Sequence, residues 1–214
     1  MAKPVKRPYD NSRRLAQVRA TRLRVIEAAK QLFIEQGYPA TTLESVADAA
    51  EVPLPTLYRW FGSKRALLTA VLEISFVGDD EPVAFVDRPA VQAALSEADP
   101  ADLLNAFAAI ARDFMDRASG ILHVLATAAQ VDADAADLLA QIRRQRHTGQ
   151  ARIVTALVER GALDPKLDPS EASDFVYLLW SPDTHRILTI ERGWTPQQYE
   201  AWLGHALRRT FLAR

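Results

Sequence analysis

Side chains able to make or break covalent bonds are sparse in this sequence and show none of the spacings that catalysis requires. The four histidines, His123, His147, His185 and His205, form no His-x-x-x-His pair and no His-Glu-x-x-His, so a zinc hydrolase has no support. There is no cysteine, which excludes disulfides, thiolate metal ligands and a cysteine nucleophile and suits a reducing cytoplasm. Neither a glycine-rich phosphate loop nor a Gly-x-Ser-x-Gly elbow occurs, although nucleotide and ester chemistry lean on these. No catalytic residue, metal or cofactor is therefore expected, and the chain is not read as an enzyme. What it concentrates is charge. Residues 1–65 carry 12 Lys/Arg against 6 Asp/Glu, and the remainder 14 against 21, although the whole chain sums to only −1. A basic head on an acidic body points to a polyanion as the partner of the head; a solvated basic tail is the plainer alternative.

The elements that must position these charges are helices. Sustained alternation of β-branched and polar residues is missing, whereas helical spacing recurs between glycines and prolines. Val25, Ile26, Ala29, Leu32 and Phe33 make an apolar stripe that stops at Gly37. A short helix is expected from Thr42 to Ala50, its orphan donors met by the Thr41-Thr42 hydroxyls. A second short helix is expected from Pro55 to Trp60, ended by Gly62, and a third, capped by Ser63, carrying Ala66, Leu67, Ala70, Val71 and Ile74. Residues 78–82, Gly-Asp-Asp-Glu-Pro, mark a break. Beyond it, helical stretches are predicted at Ala101–Ala118, Ile121–Gln130, Ala135–Arg160, Ser170–Arg192 and Pro196–Leu212, with Pro182 expected to kink or split the fourth of these. The reading is all-α: a basic extension over residues 1–20, a three-helix unit over 21–66, a connecting helix over 63–77 and a helical body over 78–214. No signal peptide is read in the first residues, and no apolar run approaches the roughly 20 residues of a membrane span.

Three helices with a tight link between the second and third are the arrangement of a helix-turn-helix. The run TTLESVADAAEVPLPTLYRWFGSKRALL resembles the DNA-binding domain of the tetracycline-repressor (TetR) family over about Thr21 to Leu68. The resemblance rests on Phe33, Gly37-Tyr38, Thr41-Thr42, Val46-Ala47, Ala50, Val52, Thr56-Leu57-Tyr58, Phe61, Ser63-Lys64 and Leu67. It implies double-stranded operator DNA as partner and repression as the sign of regulation. By the same analogy Thr56 and Tyr58 meet the DNA backbone, Arg59 lies along the groove and Lys64 meets a phosphate. Thr41 and Thr42 stand at a helix N-terminus whose backbone donors suit a phosphate. Leu54 and Pro55 face outward at the start of the recognition helix, and Arg22 is placed near DNA. The basic residues Lys3, Lys6, Arg7, Arg13, Arg14, Arg19, Arg22 and Arg24 are read as preceding the first helix, within reach of a minor groove.

The head departs from the family pattern at the turn. Glu51 stands where glycine is common, and a left-handed non-glycine there costs about 1–2 kcal/mol. Pro53 and Pro55 replace a capping serine and a small residue, so the recognition helix is expected to begin at Pro55. Leu54 offers a thymine methyl an apolar contact rather than a hydrogen bond. Few direct bonds to bases are expected, hence strong dependence on phosphates and salt. A relative whose head has lost DNA binding and whose body binds proteins is the second alternative.

Two heads must sit about 34–36 Å apart on one duplex, so the resemblance implies a homodimer. Its interface is assigned to the last two helical stretches, with Tyr177, Leu178, Ile187, Leu188, Tyr199, Trp202, Leu203 and Leu207 as contacts. A largely apolar small-molecule effector is expected in the body, its pocket lined by Phe107, Ile110, Phe114, Met115, His123, Ile142, Arg143, Trp180 and His185. The connecting helix, roughly 20 Å long at 1.5 Å per residue, would carry the effector's influence to the DNA and trigger release.

Overall fold

The computed structural model describes residues 12–213. Among them no strand forms beyond one isolated antiparallel bridge, Leu163 to Leu212; the fold is all-α, as expected. It divides into two compact units, one up to Val71 and one from Leu72 onward. Lys3, Lys6 and Arg7 lie outside the described residues.

In the first unit, α1 (Ser12–Gln36) ends at Gly37, whose φ of 82° suits a residue without a Cβ. Residues 12–20 are therefore helical and not an extension, and Arg13, Arg14, Arg19, Arg22 and Arg24 lie on α1. Leu, Ala, Gln and Arg, all good helix formers, explain the longer helix. α2 (Leu43–Ala49) opens with a reciprocal cap: the Thr42 hydroxyl accepts from the Ser45 amide, and Ser45 Oγ accepts from the Thr42 amide. α3 (Leu54–Phe61) starts one residue earlier than predicted, with Pro53 as its cap, and ends at Gly62. α4 (Lys64–Val77) begins with the Ser63 hydroxyl accepting from the Ala66 amide. Val25, Ala29, Phe33, Val46, Leu57 and Leu67 are wholly buried and form the core; each comes from an apolar stripe legible in the sequence.

The second unit is built around α6 (Pro100–Ala128), which runs unbroken through Gly120 where two helices were predicted. A glycine inside a helix costs only about 1 kcal/mol, less than the packing of its neighbours Ile121, Leu122 and Leu125 returns. α5 (Pro89–Ser96) and a 3-10 turn at Phe85–Asp87 precede it; neither was anticipated. α7 (Ala133–Glu159) packs on α6 and α8 (Pro169–Leu179) on α7. The predicted helix over Ser170–Arg192 is split: α8 stops at Leu179, α9 (Pro182–Arg186) restarts, and a π-helical turn follows over Ile187–Glu191. α10 (Pro196–Phe211) lies along α6. A Cβ on Gly204 would meet Ala108 at 3.5 Å and Asn105 Oδ1 at 3.1 Å, so the glycine permits the close approach of these two helices.

Four helices share one starting device. Asp99-Pro100, Asp168-Pro169, Ser181-Pro182 and Thr195-Pro196 each place an oxygen cap before a proline in the first turn. Proline has no N–H to leave unpaired there, and its φ is already helical.

Candidate nucleic-acid interface and interior cavity

Helix α3 is sharply two-faced. Leu57 and Phe61 are buried in the core, while Pro55, Tyr58 and Arg59 are exposed at helical spacing on the opposite side. Tyr58 is 49% exposed. Leu54 is half-buried at the start of this face, and Thr42 is exposed at the N-terminus of α2. Thr56 points elsewhere. With Trp60, Glu51 and Pro53 it lines a groove whose other wall is Arg14, Gln17, Val18, Thr21 and Arg24 of α1. Those α1 positions recur at helical spacing, 14, 17/18, 21 and 24, and share one face of the helix.

The turn between α2 and α3 is strained where the sequence indicated. Glu51 has φ 53°, the only positive φ of a non-glycine residue among those described. Its amide reaches the Asp48 carbonyl, the Val52 amide reaches that of Ala47, and Arg24 Nε of α1 braces the Ala50 carbonyl at 3.2 Å.

Three residues expected at the DNA have structural work within the head. Thr41 is fully buried, and its hydroxyl donates to the carbonyls of Gly37 (2.9 Å) and Leu32 (3.2 Å). It fastens the loop after α1 and has no surface to offer a phosphate. Lys64 Nζ points back into the head, donating to the carbonyls of Tyr38 (2.8 Å), Thr41 (3.0 Å) and Pro39 (3.3 Å) and lying 4.5 Å from the Tyr38 ring centroid. An ammonium has three donors, and three carbonyls take them. Arg22 is half-buried with its guanidinium over the Phe61 ring at 5.2 Å.

In the second unit the split between α8 and α9 has a chemical consequence. Pro182 has no N–H for the Leu178 carbonyl, which accepts from Thr184 Oγ1 instead, and at Trp180 the chain leaves the helix (φ −95°, ψ 59°). The Trp180 carbonyl is thereby freed from the helical ladder. It accepts instead from Arg146 Nη2 and Gln150 Nε2 of α7, both at 2.9 Å. These residues border a cavity of about 470 Å³ walled by Phe76, Phe85, Phe107, Phe114, Ile142, Leu95 and Trp180. Phe114 sits at its centre of aromatic contact, stacked on Phe76 at 5.3 Å and edge-on to Phe85 and Trp180. The segment after α4 closes one side with Ala84, Phe85 and Val86. It is held by Arg88, which pairs both carboxylate oxygens of Asp79 at 2.6 and 2.8 Å.

Of the residues expected to line a pocket, Phe107, Phe114, Ile142 and Trp180 do so. Ile110, Met115, His123, Arg143 and His185 do not. Met115 is sealed in the core, and His123 and Arg143 face outward on their helices. His185 is buried beside Tyr199, with ring centroids 4.8 Å apart, and Nε2 lies 3.5 Å from Asp116. Burial holds the His185 imidazole below its usual pKa, against the pull of Asp116. Arg146 and Gln150 were not foreseen: on a helical wheel they are ordinary polar residues, and only the break at Pro182 makes them interior.

The assigned dimer contacts also divide. Leu178 and Ile187 are exposed, joined by Phe175 and by Ile190 at 74% exposure. Tyr199, Leu203 and Leu207 are buried within the chain against α6, so they cannot meet a second copy. Trp202 is half-buried between Trp194 and Tyr199; Tyr177 packs on Arg146 and His147, and Leu188 is half-buried. Among the described residues, no group of three or more His, Asp or Glu could hold a metal ion, and no helix is long and apolar enough to cross a membrane.

Residues 25–71 match the family model described as bacterial regulatory proteins of the tetR family. The transcriptional repressor ComR of Escherichia coli K12 is 28% identical over 160 residues, 71% of each chain. Several other curated regulators match over about a third of their length or less. The crystal structure of NalD, secondary repressor of the MexAB-OprM multidrug efflux pump in Pseudomonas aeruginosa, has the same fold. It is 22% identical, with a TM-score of 0.65 over 90% of this chain and 97% of its own. A complex of SmeT with triclosan superposes with a TM-score of 0.70 at 16% identity, covering 91% of this chain and 92% of that one.

Proposed function

We propose that this chain is a DNA-binding transcriptional regulator of the tetR family, a dimeric repressor released from its operator by a small molecule held in the α5–α8 cavity. The observation that carries the reading is the uncovered face of α3. Pro55, Tyr58 and Arg59 project from a helix whose other side, Leu57 and Phe61, is anchored in the core, and a major groove is wide enough to receive such a helix. The groove bearing Thr56 adds Arg14 and Arg24 to the cations available to the phosphate backbone.

For the effector, support comes from an apolar cavity of a size usual for ligand sites, and from the SmeT–triclosan complex, a small molecule bound by a protein of this fold. For coupling, it comes from α4, one unbroken helix with Lys64 in its first turn and Phe76, a cavity wall, near its end. Ligand and operator that each bias this helix must oppose one another reciprocally, by about 1–3 kcal/mol in typical cases. For the dimer, it comes from Phe175, Leu178, Ile187 and Ile190, four large apolar side chains exposed on α8 and on the turn after α9.

The test is fluorescence anisotropy with duplex DNA flanking the protein's own gene. Affinity falls about 10³-fold or more between 50 and 200 mM salt if some six phosphates are contacted. A flat profile, or no preference for that DNA over an unrelated duplex, sinks the reading in favour of a body that binds proteins.

A further inference from the structure

The cavity is electrostatically one-sided. Arg146 and Arg152 line it, and no aspartate or glutamate does. Arg152 is exposed, whereas Arg146 is half-buried, and burial lowers its guanidinium pKa. Among the described residues no carboxylate lies within ion-pair distance of Arg146, although Asp183 acts on it from further off; its partners are the Trp180 carbonyl and the face of the Tyr177 ring at 4.8 Å. A guanidinium offers five N–H donors, and here Nε is buried with no acceptor. Two neighbours are left in the same condition. Trp180 Nε1–H and Gln150 Oε1 are buried and unpartnered, on side chains each only 5% exposed. Buried polar groups are nearly always satisfied, and a buried cation without a counter-charge is costlier still. Three orphaned atoms, two donors and one acceptor, therefore border one apolar space beside a guanidinium that has no ion-pair partner.

We infer that the effector is a hydrophobic carboxylate, its apolar body among Phe107, Phe114 and Phe85 and its carboxylate held by Arg146 with the Trp180 indole N–H. The inference rests on the cavity being the effector site. The anion supplies the ion-pair partner that Arg146 lacks, and the guanidinium is already oriented by its bond to the Trp180 carbonyl, so little ordering is left to do on binding. Gln150 Oε1 accepts from a hydroxyl or N–H where the ligand has one.

Calorimetry with two matched pairs tests this: biphenyl-4-carboxylate against biphenyl-4-methanol, and dodecanoate against dodecanol. In the wild-type chain, at least one carboxylate is expected to bind roughly tenfold or more tighter than its alcohol, the scale of a charge-assisted hydrogen bond. Arg146→Met erases that preference and leaves the alcohol within about twofold, whereas Arg146→Lys keeps part of it. Should Arg146→Met lose its helical circular dichroism, Arg146→Gln, which keeps an N–H for the Trp180 carbonyl, takes its place. No preference in either pair, or a preference that survives loss of the charge, overturns the inference. Anisotropy on the same samples separates it from the regulatory reading. A carboxylate that binds through Arg146 without weakening operator binding upholds the ligand class and defeats the repressor mechanism.

Discussion

His185 illustrates how a single residue's environment sets its behaviour. Both ring nitrogens are buried without a hydrogen-bond partner, Tyr199 stands edge-on, and Asp116 lies just beyond hydrogen-bonding distance. Desolvation depresses the folded pKa below the unfolded value of about 6.5. Above that value both states are neutral, and the residue adds no pH dependence. As pH falls through it, the unfolded chain takes up a proton that the native chain refuses, and stability is lost by up to about 1.4 kcal/mol per pH unit. Thermal unfolding between pH 7 and pH 5 should therefore show a steeper loss for wild type than for His185→Gln. Equal slopes would mean that another group sets the acid limb.

Lys64 belongs to the scale of elements, because it ties the start of α4 to the loop between α1 and α2. Lys64→Met keeps the aliphatic stem and removes the donors to Tyr38, Pro39 and Thr41. The expected cost is about 1–3 kcal/mol in denaturant unfolding. The salt dependence of DNA binding should keep its slope, since a lysine on a phosphate would lower it by about one. A reduced slope with unchanged stability would restore the phosphate contact that the family resemblance implied. The break at Pro182 works in the same way: a missing N–H separates α8 from α9, and the freed Trp180 carbonyl draws two polar side chains of α7 to the cavity.

At the scale of the molecule, α8 and the turn after α9 present a surface that the single chain leaves uncovered. Leu178 and Ile190 are 61% and 74% exposed, and we assign the dimer interface to this stretch. Leu178→Asp with Ile190→Asp is expected to give a monomer by sedimentation and to abolish tight operator binding while the helical signal is retained. A dimer that persists at the wild-type dissociation constant would move the interface elsewhere. Tyr199, Leu203 and Leu207 are unsuitable for that test, since each is a core residue of the chain itself.

The helical class, the head with its stripe and caps, the strain at Glu51 and the break at Pro182 were all legible along the chain, because each is a local consequence of side-chain shape, φ preference or a missing N–H. The division of the large apolar side chains among core, cavity and surface was not legible. Phe114, Met115, Leu178 and Tyr199 look alike on a helical wheel, and only the neighbouring helix determines which of them is covered. The inward turn of Lys64 and the burial of Thr41 were hidden for the same reason: their carbonyl partners belong to the loop after α1, brought there by folding. Arg146 became an interior cation only when α7, a broken α8 and the segment before α5 met around one space. Periodicity determines which face of a helix is buried; what buries it, and which polar atoms are left without partners, is decided by contacts between residues far apart in the chain.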